Sequence, residues 1–125
     1  MAVELRKYSD IQPFPFGSLT IRDLTPGGVD GISLSDIEVP IGADTPPYAA
    51  VGNDKVYIGV SGEIEFAIDG KTVRVGRGDV LIVRVGEQFR YHNGAYRPGR
   101  LLLVQVPPGT AGGSQTGDQE DSPAT

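Results

Sequence analysis

The sequence predicts an all-β protein: a single-domain antiparallel β-barrel or jelly roll of roughly six to ten strands. Three observations carry that expectation. Short apolar runs recur along the chain and are punctuated by glycine and proline, the pattern of strands joined by tight turns. Gly 18 and Pro 10 are high for 125 residues, yet they lie between the runs rather than in one block, which argues for turns and against a low-complexity chain. No segment repeats its apolar residues at the period of a helix. The length admits one domain with one core, and no internal repeat of the solenoid kind is present.

Residues 1–16 read as an N-terminal arm. Phe14 and Phe16 flank Pro15 there. A proline suits an edge or crossing segment, and the two rings need cover from one end of the barrel or from a second subunit. The barrel itself is expected over about residues 17–108. LTIRDL (19–24) is its first strand, closed by Pro26-Gly27-Gly28. ISLSDIEVP (32–40) follows; Ile32 and Leu34 share one parity, Ile37 and Val39 the other, so a bulge near Ser35 is expected. PIGADTPPY (40–48) is a loop. VYIGV (56–60), IEFAI (64–68) and TVRV (72–75) are strands, the last two joined by a tight turn at Asp69-Gly70. VLIVRV (80–85) and LLLVQV (101–106) are apolar on both parities and are expected to be covered on both faces, with VLIVRV a central strand. Between them QFRYH (88–92) alternates Phe89 and Tyr91 against Gln88, Arg90 and His92. Residues 109–125 contain no large apolar side chain and read as a disordered acidic tail.

The stretch from Gly42 to Asn93 holds two spaced patterns. The first is Gly42-x5-Tyr48-x-Ala50-x4-Lys55-x6-Gly62. The second is Gly78-x5-Arg84-x-Gly86-x2-Phe89-x3-Asn93, and 15 residues, Glu63 to Arg77, separate them. These spacings resemble the two motifs of the cupin superfamily. The scaffold glycines and Asn93 match. The family's metal ligands, His, His and Glu in the first motif and His in the second, are replaced by Tyr48, Ala50, Lys55 and Phe89, and Arg84 stands where the second motif has proline. The resemblance implies a small cupin that has lost its metal ligands, with no metal and no other cofactor, and with Tyr48, Lys55 and Phe89 turned into the cavity.

Composition excludes several classes. With no cysteine there is neither a disulfide nor thiolate chemistry. The segment MAVELRKYSD lacks the apolar core of a signal peptide, and the apolar runs are far too short to span a membrane, so a cytoplasmic protein with no membrane partner is expected. The net charge is −5, and Asp118, Glu120 and Asp121 of the tail supply three of those charges. A near-neutral domain without a basic cluster is a poor partner for nucleic acid. One His and no Cys argue against a transition-metal site. Alternation turns His92 away from the face of Phe89. Asp36, Glu38, Asp44 and Asp54 are the candidates for an all-oxygen site, but none has ligand-loop spacing.

The remaining chemistry gathers around the inferred cavity. Alternation adds Tyr57 and Tyr91 to the positions that the resemblance turns inward, and Gln105 offers an amide. Such an aromatic pocket suits a planar or hydrophobic small molecule. Lys55 is its most reactive candidate: in an apolar cavity its charged form is disfavoured, so it can act as a base, form a Schiff base or hold a carboxylate. The alternative is a solvated loop lysine, and Asp54 fits the shorter spacing of the first motif and so competes for the inward position. Tyr48 and Tyr91 are candidate proton donors to an oxygen of substrate, or plain aromatic core. Arg84 is a candidate anion clamp at the rim, or a solvated arginine. Gly59 leaves room for a ligand or for close packing.

Three readings follow. The first is a metal-independent small-molecule enzyme of isomerase, cyclase, dehydratase or lyase type, of the kind found in natural-product biosynthesis, with Lys55, Tyr48 and Tyr91 catalytic and Tyr57, Phe89, Arg84 and Gln105 binding substrate. The second is a non-catalytic small-molecule-binding cupin, a sensor or accessory protein. The third, a metal oxygenase, conflicts with the missing ligands. A homodimer is expected because two strands are apolar on both faces and no helix is available to cover the outer one.

Overall fold

The computed structural model describes residues 3–50 and 52–106. The expectation of a disordered tail falls outside the described residues. Within them the chain forms ten strands and one short 3-10 turn at Tyr8–Asp10. The strands are β1 (Phe14–Phe16), β2 (Leu19–Asp23), β3 (Ser33–Val39), β4 (Tyr48–Ala49), β5 (Asp54–Ser61), β6 (Ile64–Ile68), β7 (Lys71–Val75), β8 (Val80–Val83), β9 (Gln88–His92) and β10 (Gly99–Val106). They make two antiparallel sheets. The larger runs β1-β2-β3-β10-β5-β8, and the smaller runs β4-β9-β6-β7.

Period-two alternation sends one parity of each strand between the sheets. From the larger sheet these are Leu19, Ile37, Val39, Tyr57, Val83, Leu101 and Leu103; from the smaller they are Ile64, Phe66, Val75, Phe89 and Tyr91, all buried in one core. The tightest contacts between sheets are aromatic. The Tyr57 ring lies 4.9 Å from Phe66 and 5.7 Å from Tyr91. Between β6 and β7, Asp69 and Gly70 both take positive φ, 46° and 84°, the two-residue turn whose twist matches that of the strands it joins.

Three expectations are corrected. First, the sheets do not close into a barrel: among the described residues no strand of one sheet pairs with a strand of the other. The seam is open between β1 and β4, and its edges are blunt. β1 has three residues with Pro15 in the middle, while β4 has two and follows Pro46 and Pro47. Such edges cannot extend a ladder. Stacking of Phe16 on Tyr48, at 6.1 Å, bridges the gap instead. Thus the arm ends as part of the larger sheet.

Second, β3 has no bulge; its pairing with β2 and β10 runs without a break. The parity conflict is resolved by Asp36, which faces the outer side and is nonetheless buried. Arg100 binds it at 2.6 Å, the Tyr8 hydroxyl donates to it at 3.2 Å, and Arg22 approaches within 3.8 Å while pairing with Glu38. Third, β8 is not central. It is the edge of the larger sheet, and Val80 and Ile82 are 59 % and 48 % exposed. β10 does lie centrally, but Leu102 and Val104 on its outer side are only half-buried. Of the two alternatives at Gly59, room for a ligand or close packing, the structure shows close packing: a Cβ there would stand 1.9 Å from the Gly76 carbonyl oxygen.

Candidate functional site

The core is incomplete towards the open seam. There the two sheets enclose a cavity of about 250 Å³. Inward parity on β5 places Lys55 and Tyr57 in its wall, β9 contributes Phe89 and Tyr91, β4 contributes Tyr48, and β10 contributes Gln105. Phe14 and Phe16 line it from β1 and are 44 % and 49 % exposed, so the arm forms its outer lip.

Lys55 is held inside the cavity rather than in a solvated loop. It is the second residue of β5, directly opposite Gln105 on one side and Val83 on the other. Only 2 % of it is exposed, and its Nζ donates to Gln105 Oε1 at 2.6 Å. Burial pulls its pKa down from 10.5 to about 8, because the low-dielectric surroundings disfavour the ammonium. Asp54, one residue earlier, has the opposite parity. It accepts from the Val85 backbone at 3.0 Å and from Arg84 at 3.2 Å.

Three phenols share this cavity with the amine. Burial raises the pKa of Tyr48, Tyr57 and Tyr91, and for Tyr57 and Tyr91 the neighbouring phenols raise it further. A phenol in this state keeps its proton across the physiological range and serves as a hydrogen-bond donor to an oxygen. The rings are packed: Tyr48 lies 5.5 Å from Phe89, and Tyr57 lies 6.0 Å from it.

Of the residues singled out in the sequence, Tyr48, Lys55, Tyr57, Phe89, Tyr91 and Gln105 line this one cavity, and Arg84 does not. The Arg84 side chain lies outside this lining, largely exposed and 3.2 Å from Asp54. His92 lies on the outer side of β9, 3.3 Å from Glu65. Ser35, Leu19, Ile21, Ile37 and Leu103 complete the lining and were missed. Ser35 was obscured by the assumed bulge; parity with Ile37 and Val39 along an unbroken β3 places it inward.

The family's barrel implies a metal, so the donor set at its ligand positions decides whether this chain can hold one. Those positions carry a phenol, a methyl, an amine and a phenyl ring: Tyr48, Ala50, Lys55 and Phe89. Ala50 is fully buried in the core, and its backbone is bonded to Glu87 and Gly86. Phenols held in the protonated state and a largely charged amine are poor ligands for a cation. Among the described residues no three His, Cys, Asp or Glu side chains cluster as ligands would. Asp36, Glu38, Asp44 and Asp54 are each engaged by an arginine. The donor set does not fit a metal. No helix among the described residues is long and apolar enough to cross a membrane.

Comparison with known proteins agrees with this architecture. A predicted oxalate decarboxylase from Thermotoga maritima superposes with a TM-score of 0.76 at 19 % identity, covering 83 % of this chain and 99 % of its own. The polyketide cyclase RemF from Streptomyces resistomycificus gives 0.73 at 23 % identity, over 86 % of this chain and 82 % of its own. The cupin domain of Schizosaccharomyces pombe Cnp3 gives 0.72 at 20 % identity, over 81 % and 72 %. At these identities the likeness is one of fold. A search among curated proteins returns no match. The family model described as "Cupin domain" matches residues 35–106, from the middle of β3 to the end of β10. The chain therefore belongs to the cupin superfamily.

Proposed function

We propose that the protein is a metal-independent enzyme acting on a small, planar, apolar molecule within the cavity, in a reaction of isomerase, cyclase, dehydratase or lyase type. The observation that carries this reading is Lys55: an amine only 2 % exposed among aromatic rings. Burying an ammonium is costly to the fold, and an apolar side chain would pack there without that penalty. An amine near pH 8 suits proton abstraction, since a base works best when its pKa lies close to the working pH. Protonated Tyr57 and Tyr91 then supply donors for an oxygen that gains negative charge. The cavity's aromatic walls suit a flat ring system, and a polyketide cyclase among the structural neighbours supports that substrate class.

The test is a thermal-shift screen with polycyclic phenols, small aromatic carboxylates and polyketide-like compounds, followed by mass spectrometry of the compounds that bind. A ligand specific to the native state raises the midpoint. The expected result is a shift with flat aromatic compounds and a product whose formation is lost in Lys55→Met and reduced in Tyr91→Phe. Binding without any product assigns the cavity to a carrier or sensor; no binding by any aromatic compound overturns the reading.

A further inference from the structure

We propose that Lys55 forms a reversible imine with an apolar aromatic aldehyde or ketone held in the cavity, an inference that rests on the cavity being the reactive site. Three features of the geometry point to a nucleophile and not only to a proton carrier. Lys55 projects from a strand in the middle of the lining, with Gln105 directly across the ladder and its Oε1 at 2.6 Å. That neutral amide accepts from the nitrogen and orients it towards the lining. The titratable groups lining the same cavity are the phenols of Tyr48, Tyr57 and Tyr91, which donate hydrogen bonds and stay neutral. Apart from the Ser35 hydroxyl the walls are otherwise hydrocarbon and aromatic rings, which select an apolar carbonyl compound.

The step balances within the site. The neutral amine attacks the carbonyl carbon, a C–N bond forms, and the C=O π electrons move to oxygen. One amine proton passes to that oxygen, giving the carbinolamine. A second proton reaches the same oxygen, the C–O bond breaks, and water leaves as C=N forms. A phenol such as Tyr91 or Tyr57 is the donor available to that oxygen, recovering its proton from the nitrogen. An amine titrating near 8 is unprotonated in about one molecule in ten at pH 7, against about one in three thousand for an ordinary solvated lysine.

The experiment is reductive trapping. The full chain is incubated at pH 7 with 2-naphthaldehyde and cyanoborohydride, digested, and mapped by mass spectrometry. Lys7 and Lys71, both exposed, are internal controls. The expected result is an adduct at Lys55 formed about tenfold or more faster than at either control, with a rate that levels off above about pH 8. Lys55→Arg should leave only the slow reaction at the controls. Adducts at Lys7 and Lys71 with Lys55 unmodified overturn the proposal. Thermal shift with 2-naphthol, which has no carbonyl, separates the two readings. If 2-naphthol binds while Lys55 stays unmodified, the imine is wrong and the cavity reading survives. If neither probe binds and Lys55 stays unmodified, both fall.

Discussion

Lys55 and Asn93 are both buried polar residues, and they act on the fold in opposite directions. The Lys55 amine titrates near 8 in the folded protein and at 10.5 when solvated, so burial destabilises the charged form by about 3 kcal/mol. Below pH 8 both folded and unfolded chains carry the proton, and the penalty is fully present. Between 8 and 10.5 the unfolded chain holds more protons, so this contribution to stability rises with pH. Lys55→Met should therefore stabilise the protein at pH 7, by less than that amount because the Gln105 bond is lost with the amine. The gain should be nearly gone at pH 10, as urea denaturation of both proteins at the two pH values will show; an equal effect at both removes the amine from the explanation. The raised phenols lower stability above their ordinary range, but that contribution is common to both proteins. Asn93 is fully buried and satisfied: Nδ2 donates to Val39 O at 3.0 Å and Arg97 O at 2.8 Å, and Oδ1 accepts from Ala95 N. Asn93→Ala should destabilise by about 3 kcal/mol, since it strands two carbonyls and an amide. The inward positions of Tyr57, Phe89 and Tyr91 were legible from alternation together with motif spacing. The choice of Lys55 over Asp54 was not, because spacing allowed both and only the pairing of Lys55 with Gln105 settles parity.

At the scale of elements, most strands were legible, though β1 and β4 read as arm and loop, and their neighbours were not. Apolar runs bounded by glycine mark where a strand lies, but both sides of β8 are apolar for different reasons. One side meets the core through Val83; the other, Val80 and Ile82, is exposed at a sheet edge. Burial of one face and exposure of the other leave the same letters in the sequence. Likewise β3 looked bulged because Asp36 breaks the apolar alternation, when Arg22 and Arg100 on the adjoining strands neutralise it in place. Gly59 offers a test of how the sheets meet. The turn after β7 crosses to the larger sheet over Gly59, whose backbone bonds Asp79 O and Gly78 N at 2.9 Å and 2.8 Å. A methyl there would drive into the Gly76 carbonyl, so Gly59→Ala should destabilise by about 3 kcal/mol. Unchanged thermal and urea midpoints would show that the crossing turn yields freely.

For the whole molecule, the outer side of the larger sheet decides how the fold exists in solution. Pairing aligns Leu34, Val104, Val56 and Ile82 in one row and Leu102, Ile58 and Val80 in the next, across β3, β10, β5 and β8. Among the described residues no helix covers these rows, and the cluster of Tyr8, Arg22, Asp36 and Arg100 lies at their far end. The only charged group within the rows is Asp36, and it is already paired. A flat apolar face without free charge complements a second copy of itself, which is the requirement for a two-fold interface, and exposed apolar faces of this extent are uncommon on monomers. A homodimer packed sheet against sheet is therefore expected, with both cavities opening away from the interface because they lie on the other side of the sheet. Light scattering at micromolar concentration should give twice the chain mass. Ile58→Lys, which places a charge in the middle of the face without touching the cavity lining, should give the mass of one chain while leaving 2-naphthol binding intact. A single-chain mass for the unaltered protein would refute the dimer, and the half-buried outer rows would then need another occupant.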